Sequence, residues 1–497
     1  MNRSEIKNTG LLKKSGYSYR SIRDEIRSNL IHALSENKNV FPEIIGFEET
    51  VIPQLHTALL SKHNIIFLGL RGQAKTRIAR LMTRLLDEYV PVVEGTELND
   101  DPLNPVSGYA KDRIASLGDE TPVEWIHRNE RYVEKLATPD VTVADLIGDI
   151  DPIKAAAMKL TYADERVIHY GLVPRSNRHI FVINELPDLQ PRIQVALFNI
   201  LQEGDIQIRG FKLRLPLDIL FIFTANPEDY TNRGSIVTPL KDRIGSQILT
   251  HYPRSVEISS AITRQEAHIP DEQKKNIMVD ELMFRLIERV AMEARKSEYV
   301  DQKSGVSARL TISALEALYS VCEQRMIKSG SKKTSARISD LYGIIPSITG
   351  KVELVYEGEV EGISVVANTL IGKAIRSEFE SVYPDPEKAK KAKQLNPYSN
   401  IIEWFALGNE LDLLHHIADH EFEHALSSCP FPSDFVKKYF KGLDRPQQLL
   451  QKEFILHGLA ECSQISKKPL ESGVRFRDLM STMLNFSKES EDFSGDE

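Results

Sequence analysis

Cysteine is scarce in this 497-residue chain: Cys322, Cys429 and Cys462 are odd in number and far apart, which excludes a disulfide framework and a zinc-ribbon spacing. A reducing compartment follows, and the cytoplasm is the expected location. Missing too is any apolar run near the ~20 residues that a membrane helix requires. The most apolar stretches, Ile65 to Leu68 and Ile219 to Phe223, have strand length. Residues 1–40 mix basic and acidic side chains without an apolar run before a small-residue cleavage site, so no signal peptide is read. There is no basic excess: 63 Lys and Arg against 71 Asp and Glu give a formal charge of -8, hence no global field for nucleic acid or an anionic membrane. Hydrophobic residues at 41% and charged residues at 27% fit a globular protein rather than a disordered one. The length exceeds one ordinary core and suggests roughly two to four domains.

Compositional bias is confined to Pro384 to Pro397, a Lys-bearing stretch that reads as a linker, and to Glu489 to Glu497, which reads as a disordered acidic tail. Much of residues 1 to about 20 reads as disordered by the same polar criterion. Between residues 40 and 260, short β-rich runs alternate with helical patterns, as in a parallel sheet with helices on both faces. The pattern then becomes mainly helical, with Ile312, Leu315, Leu318 and Tyr319 at helix spacing. The expected organisation is an N-terminal extension over 1–39, helical in part, and an α/β domain over 40–263. A helical lid over 264–383, a linker over 384–397, a C-terminal helical module over 398–488 and the tail over 489–497 complete it.

What is present is a phosphate-binding pattern. Asn64 to Leu68 reads as a buried strand, Gly69-Leu70-Arg71-Gly72-Gln73-Ala74-Lys75-Thr76 follows at once, and Ile78, Leu81, Met82, Leu85 and Leu86 then keep helical spacing. A loop between a strand and a helix N-terminus presents backbone N–H groups and the positive helix end to phosphate oxygens. Lys75 reaches the outer phosphates and the Thr76 hydroxyl can ligate Mg²⁺, so ATP and Mg²⁺ are the implied cofactors. Ala74 stands where a second glycine is usual, and Gly72 restores some of that backbone freedom.

His179 to Ile183 is a second apolar strand, ending in Asn184-Glu185. At such strand ends one side chain holds the Mg²⁺ shell and the next activates the attacking water. Glu185 can do the second task; Asn184 can accept a hydrogen bond from metal-bound water but brings no charge. Ile193, Ala196, Leu197, Ile200 and Leu201 mark the next helix, and a third strand, Leu217 to Phe223, leads to Asn226-Pro227. The Asn226 amide suits orientation of water, although Asn-Pro alone is a turn signal. Arg243 is either a solvated surface arginine or, in a ring of subunits, a group reaching a neighbour's γ-phosphate, with an effect on the order of 10³ to 10⁵ in rate. Arg309, opening a helix of the lid, is the natural second arginine for sensing nucleotide, or half of a surface ion pair.

Taken together these residues resemble AAA+ ATPases, and within them the branch of the magnesium chelatase ATPase (I) subunit and the MoxR-type proteins, over roughly residues 40 to 380. The carrying stretches are Ile45-Gly46-Phe47-Glu48, the Gly-x-x-Gly-x-Ala-Lys-Thr loop, Asp145 to Asp151, His169 to Pro174, Thr224 to Pro227 and Pro239 to Arg243. The resemblance implies an AAA+ P-loop domain with Ile45 and Gly46 on the adenine side, and a homo-hexamer or other ring that hydrolyses ATP to remodel a partner. It also implies a protein partner with a metal-ion-dependent adhesion-type domain and an extra helical and hairpin insertion in the roughly hundred residues between Lys75 and Glu185, while the lack of a long apolar run leaves no membrane expected. Magnesium chelatase inserts Mg²⁺ into protoporphyrin with two other subunits; Asn184 and the C-terminal module weaken the carry-over of that reaction.

A competing motif is His420-Glu421-Phe422-Glu423-His424, which matches H-E-x-x-H and would make Glu421 the base of a zinc metalloprotease. Asp419 and Glu423 are out of place in such a helix, and no third ligand appears. His415, His416, His420 and His424 then read as the polar side of a helix whose apolar side includes Leu413, Ile417 and Leu426. The Gly-Ala-Phe-Thr-Gly-Ala loop of AAA+ transcriptional activators is absent, and Lys388, Lys390, Lys391 and Lys393 form a solvated run without interleaved aromatics, so nucleic-acid binding is not expected. A nucleotide-switched scaffold with little hydrolysis is the more serious rival, because Asn184 carries no charge.

Overall fold

A computed structural model describes residues 3–159, 165–203, 215–227, 236–386, 396–470 and 473–479. The chain divides into two compact units, Met1–Tyr252 and Pro253–Glu497. Residues 387–395 of the expected linker, with their lysines, and the acidic tail lie outside the described residues.

In the first unit the strands are β1 (Ile65–Leu68), β2 (Tyr89–Val93), β3 (Val123–His127), β4 (Tyr132–Leu136), β5 (Gly148–Ile150), β6 (Ile168–Tyr170), β7 (Ile180–Asn184), β8 (Leu220–Ala225) and β9 (Ser246–Leu249). Five of them form one sheet in the order β4-β7-β8-β1-β9, with every neighbouring pair parallel. β1, β7 and β8 are buried along their whole length, as strands covered on both faces must be. Alternation sorts their side chains. Ile65, Phe67, Val182 and Ile222 face a core shared with the helices Ile22–Ser35, Val51–Leu60 and Lys75–Leu81; Ile66, Leu68, Phe181 and Phe223 face the helix Pro191–Glu203. The stretch between Lys75 and Glu185 also holds two antiparallel pairs, β2 with β3 and β5 with β6, and the helix Gly108–Leu117.

Residues 1 to about 20, expected to be disordered, are folded from Arg3 onward. Asn8 Oδ1 caps the helix Thr9–Lys14 by accepting the Leu11 N–H at 2.9 Å, and the Thr9 N–H donates to the Thr121 carbonyl at 3.0 Å. Nor is the stretch to residue 39 a separate extension. Its polar composition hides a buried face, Ile22, Ile26 and Leu30, at helix spacing. Glu25, on the same helix, accepts two hydrogen bonds from the buried Arg131 guanidinium, at 2.7 and 2.8 Å.

In the second unit one core runs from Ile277 to Phe476. The expected lid and C-terminal module are therefore not separate bodies: Leu310, Leu315 and Leu318 of the helix Arg309–Lys328 belong to the same cluster as Phe405 and Phe454. Nor is the C-terminal part wholly helical. Leu411–Leu414, Gly473–Arg477 and Ser466–Leu470 pair in that order as a three-stranded antiparallel sheet. Strands of four or five residues offer too few positions for periodicity to separate them from helix. Leu413 accordingly lies on a strand rather than on the helix expected to carry His415 and His416. Among the described residues no helix is long and apolar enough to cross a membrane.

His179, at the start of β7, is buried, and its imidazole is pushed down to about 3 by burial first and then by the nearby Arg131 and Arg178. Below pH ~6.5 the unfolded chain binds a proton that the folded chain refuses, so stability present above that pH is lost as the pH falls, at about 1.4 kcal/mol per pH unit for one such group. Buried His457 is shifted in the same direction. Neither ring nitrogen of His179 has a hydrogen-bond partner among the described residues. Urea unfolding of His179→Leu between pH 7.5 and 5.5 should therefore lose about 1 kcal/mol less than the wild type.

Candidate functional site

The phosphate loop leaves β1, an inner strand between β8 and β9, and is held on both sides. The Gly69 N–H donates to the Ala225 carbonyl at the end of β8 (3.2 Å), and the Thr250 N–H, just past β9, donates to the Leu68 carbonyl (2.8 Å). Thr250 Oγ1 also donates to Oε1 of buried Gln73 at 2.7 Å. These side chains press on Gly69 so closely that a Cβ there would lie 1.9 Å from Thr250 Oγ1 and 2.2 Å from Gln73 Oε1. Ahead of the helix, Gly72 and Ala74 take left-handed conformations with φ of 75° and 55°. That is the conformation glycine adopts without strain, so Ala74 keeps the backbone shape of the missing glycine at a steric cost. Such a turn before a helix N-terminus is an anion-binding form of backbone. The Lys75 ammonium donates to the Gly69 and Leu70 carbonyls, so it lies over the loop that it would serve. Ile45 and Gly46 occupy a half-buried turn; next to it Phe47 packs edge-on against His251 at 4.9 Å, and Thr50 hydrogen-bonds that ring at 2.8 Å.

The decisive contact is between loop helix and second strand. Thr76 Oγ1 donates to Asn184 Oδ1 at 3.2 Å, which puts the end of β7 against the first turn of the helix Lys75–Leu81. Thr224 Oγ1 on β8 donates to the same oxygen at 3.0 Å and accepts the Glu185 N–H at 3.2 Å. Glu185 is held left-handed at φ 59°, a conformation that costs a non-glycine residue about 1 kcal/mol or more and that clusters at functional sites. Among the described residues its carboxylate makes no hydrogen bond. Asn226 follows β8 directly and is buried. The residues thus brought together, a hydroxyl, an amide oxygen and a carboxylate beside an anion-binding loop, fit Mg²⁺ and the phosphates of ATP by the chemistry of their donors.

Sequence reasoning missed one participant. Glu134 on β4 accepts the Asn184 Nδ2 hydrogen bond at 2.6 Å, and nothing in the run Tyr132 to Leu136 marks it out. Arg243 ends the helix Thr238–Arg243, its guanidinium 4.1 Å from the Phe198 ring centroid and donating to the Pro239 carbonyl at 3.2 Å. Arg309 is exposed at the start of its helix in the other unit.

The H-E-x-x-H residues do lie on a helix, Asp419–Ser428, but its acids have structural partners. Glu421 accepts the Ala418 N–H at 2.9 Å, Glu423 pairs with Arg445, and Asp419 pairs with Arg337 at 2.6 Å and Arg325 at 3.1 Å. Among the described residues no group of three or more His, Cys, Asp or Glu could hold a metal ion.

Residues 106–244 match the family model of the AAA domain of the dynein-related subfamily, a span that contains β7, β8, Asn184, Glu185, Asn226 and Arg243. Residues 106–244 carry an AAA-type domain. No curated protein matches the sequence significantly. Among solved structures, a chain of the BchI–BchD complex of magnesium chelatase is 18% identical with a TM-score of 0.35, over 64% of this chain and 98% of that one. A Cytophaga hutchinsonii protein provisionally described as an ATPase is 17% identical with a TM-score of 0.30, over 73% of this chain and 98% of that one. Hsp104 is 13% identical with a TM-score of 0.35, over 62% of this chain and 50% of that one. Likenesses this loose carry no functional weight.

Two substitutions probe the loop of the ATPase domain. Gly69→Ala should cost about 1–3 kcal/mol of stability by overpacking against Thr250 and weaken binding of a fluorescent ATP analogue. Ala74→Gly should leave stability unchanged or raise it by up to about 1 kcal/mol in urea unfolding, because removal of left-handed strain outweighs the added chain entropy.

Proposed function

We propose that this protein is an ATP-hydrolysing AAA+ ring ATPase of the magnesium chelatase I and MoxR-type branch, remodelling a protein partner. The Thr76 to Asn184 hydrogen bond carries the reading, because it sets the phosphate loop and the strand end bearing Glu185 against each other. In the proposed reaction the loop amides and the Lys75 ammonium bind the triphosphate, and Glu185 removes the proton from the attacking water while Asn226 orients that water. Mg²⁺ held beside Thr76 and Asn184 would supply positive charge to the phosphate oxygens. Arg243 acts across a subunit boundary, for which its guanidinium leaves the Phe198 ring, and Arg309 is proposed to sense the nucleotide. The order of the motifs supports the branch. Metal insertion into a porphyrin is the less supported outcome, and a partner with a metal-ion-dependent adhesion-type domain is part of the same proposal.

A nucleotide-switched scaffold is the second reading, favoured by the uncharged Asn184 side chain, and steady-state turnover separates the two. Glu185→Gln should retain ATP affinity and lose turnover by a factor on the order of 10² to 10⁴. Arg243→Ala should lose turnover in the assembled form and recover part of it when mixed with Glu185→Gln subunits. Equal turnover in wild type and Glu185→Gln refutes the motor.

A further inference from the structure

We infer that Glu134 is the carboxylate of the magnesium site, its charge delivered through the Asn184 amide from the neighbouring strand. The inference rests on the ATPase reading and assigns a positioning residue to it.

Register places Glu134 opposite Val182, and Val182 shares a face with Asn184 two residues on. Glu134 Oε1 accepts from Asn184 Nδ2 at 2.6 Å. The other end of the amide is fixed as well. Thr224 Oγ1 accepts the Glu185 N–H, so its own proton goes to Asn184 Oδ1 at 3.0 Å, and the Thr76 hydroxyl donates to that oxygen at 3.2 Å. Flipping the amide would turn its oxygen against a carboxylate and leave two hydroxyl donors without their acceptor. Only one orientation therefore satisfies all four groups, and in it the carbonyl end faces Thr76. A carboxylate on the donor side polarises the amide and raises electron density at that oxygen. Glu134 Oε2 meanwhile accepts from Arg80 Nη2 at 2.9 Å and from the Tyr132 hydroxyl at 3.0 Å, which set its plane. Arg80 lies one helical turn after Thr76 and is largely exposed, so its contact ion pair with Glu134 is a weak one that masks only part of the carboxylate charge.

The pairing also explains why asparagine suits this strand end. An aspartate at 184 would set two carboxylates in contact, and such a pair cannot both ionise. The negative charge sits one strand away, and the residue at the strand end must then be neutral.

The test is Mn²⁺ affinity, read by electron paramagnetic resonance in the presence of ATPγS, together with ATPγS affinity without metal and the urea unfolding midpoint. Glu134→Gln is expected to lower Mn²⁺ affinity by tenfold or more, as removal of outer-shell partners typically does (about 10- to 100-fold), with metal-free nucleotide affinity unchanged. Asn184→Asp alone should bind Mn²⁺ no better than wild type, while Asn184→Asp with Glu134→Gln should restore wild-type affinity, a rescue that a merely structural role does not give. Arg80→Met touches no buried group and should raise Mn²⁺ affinity by unmasking Glu134, so it decides the matter even where Glu134→Gln does not fold. Wild-type Mn²⁺ affinity in Glu134→Gln, failure of the double exchange, or no rise in Arg80→Met overturns the proposal. No ATPγS binding by the wild type, with or without metal, overturns the ATPase reading and this inference with it.

Discussion

The Asn184 amide is where the parallel sheet and the phosphate helix are joined by side chains. Backbone pairing alone fixes the height of β1 against β8 and of β8 against β7, and the loop leaves β1 at that height. It does not fix how the helix after the loop turns about its axis. The packing of Ile78 and Ala79 against the sheet and the Thr76 hydroxyl, bonded to an oxygen on β7, do so together, and with it they set the direction in which Lys75 and the first amides of the helix are presented. A buried amide whose donor and acceptor ends are both satisfied is rigid at little cost, whereas removal of one partner would leave the others uncompensated in a low-dielectric site.

This junction rests on a sheet that cannot slide. β7 and β8 are apolar on both faces, so a one-residue slip in either would exchange two sets of core side chains at once. Where sheet meets loop, packing leaves no room for a Cβ at Gly69, yet three positions later the backbone turns left-handed at Gly72 and again at Ala74. Tight packing at the root and conformational freedom at the tip are opposite demands, met within six residues of sequence.

The phosphate loop was legible because its chemistry is local: strand, loop and helix follow one another, and hydrophobic spacing marks the change of period. The end of β7 was legible for the same reason. Glu134 was not, because its partner lies 50 residues further along the chain and a glutamate in a half-exposed strand is ordinary. The buried face of the helix Ile22–Ser35 escaped notice because Ile22, Ile26 and Leu30 are interrupted by charged residues, one of which, Glu25, has its own buried partner. In the second unit the helix of Leu315 and Leu318 was visible in its spacing, but the sheet of Leu411–Leu414 was not, since its pairing partners come after the helix Arg445–Glu461. The H-E-x-x-H match, set aside in the sequence because of Asp419 and Glu423, shows the converse case. A short pattern can be complete in sequence while its acids are engaged in capping and ion pairs that only the fold reveals.

The Glu25 to Arg131 pair has a consequence for fragment design. A truncated version of the nucleotide-binding unit that began near residue 40, where the motif pattern starts, would take away the carboxylate partner of the Arg131 guanidinium and leave it the Arg178 carbonyl. Stranding one member of a buried charge pair typically costs about 3–5 kcal/mol, a large part of the stability of a single domain. The smallest autonomous piece therefore has to start upstream of Ile22, and the helix that looks like an appendage in the sequence is a wall of the nucleotide-binding unit.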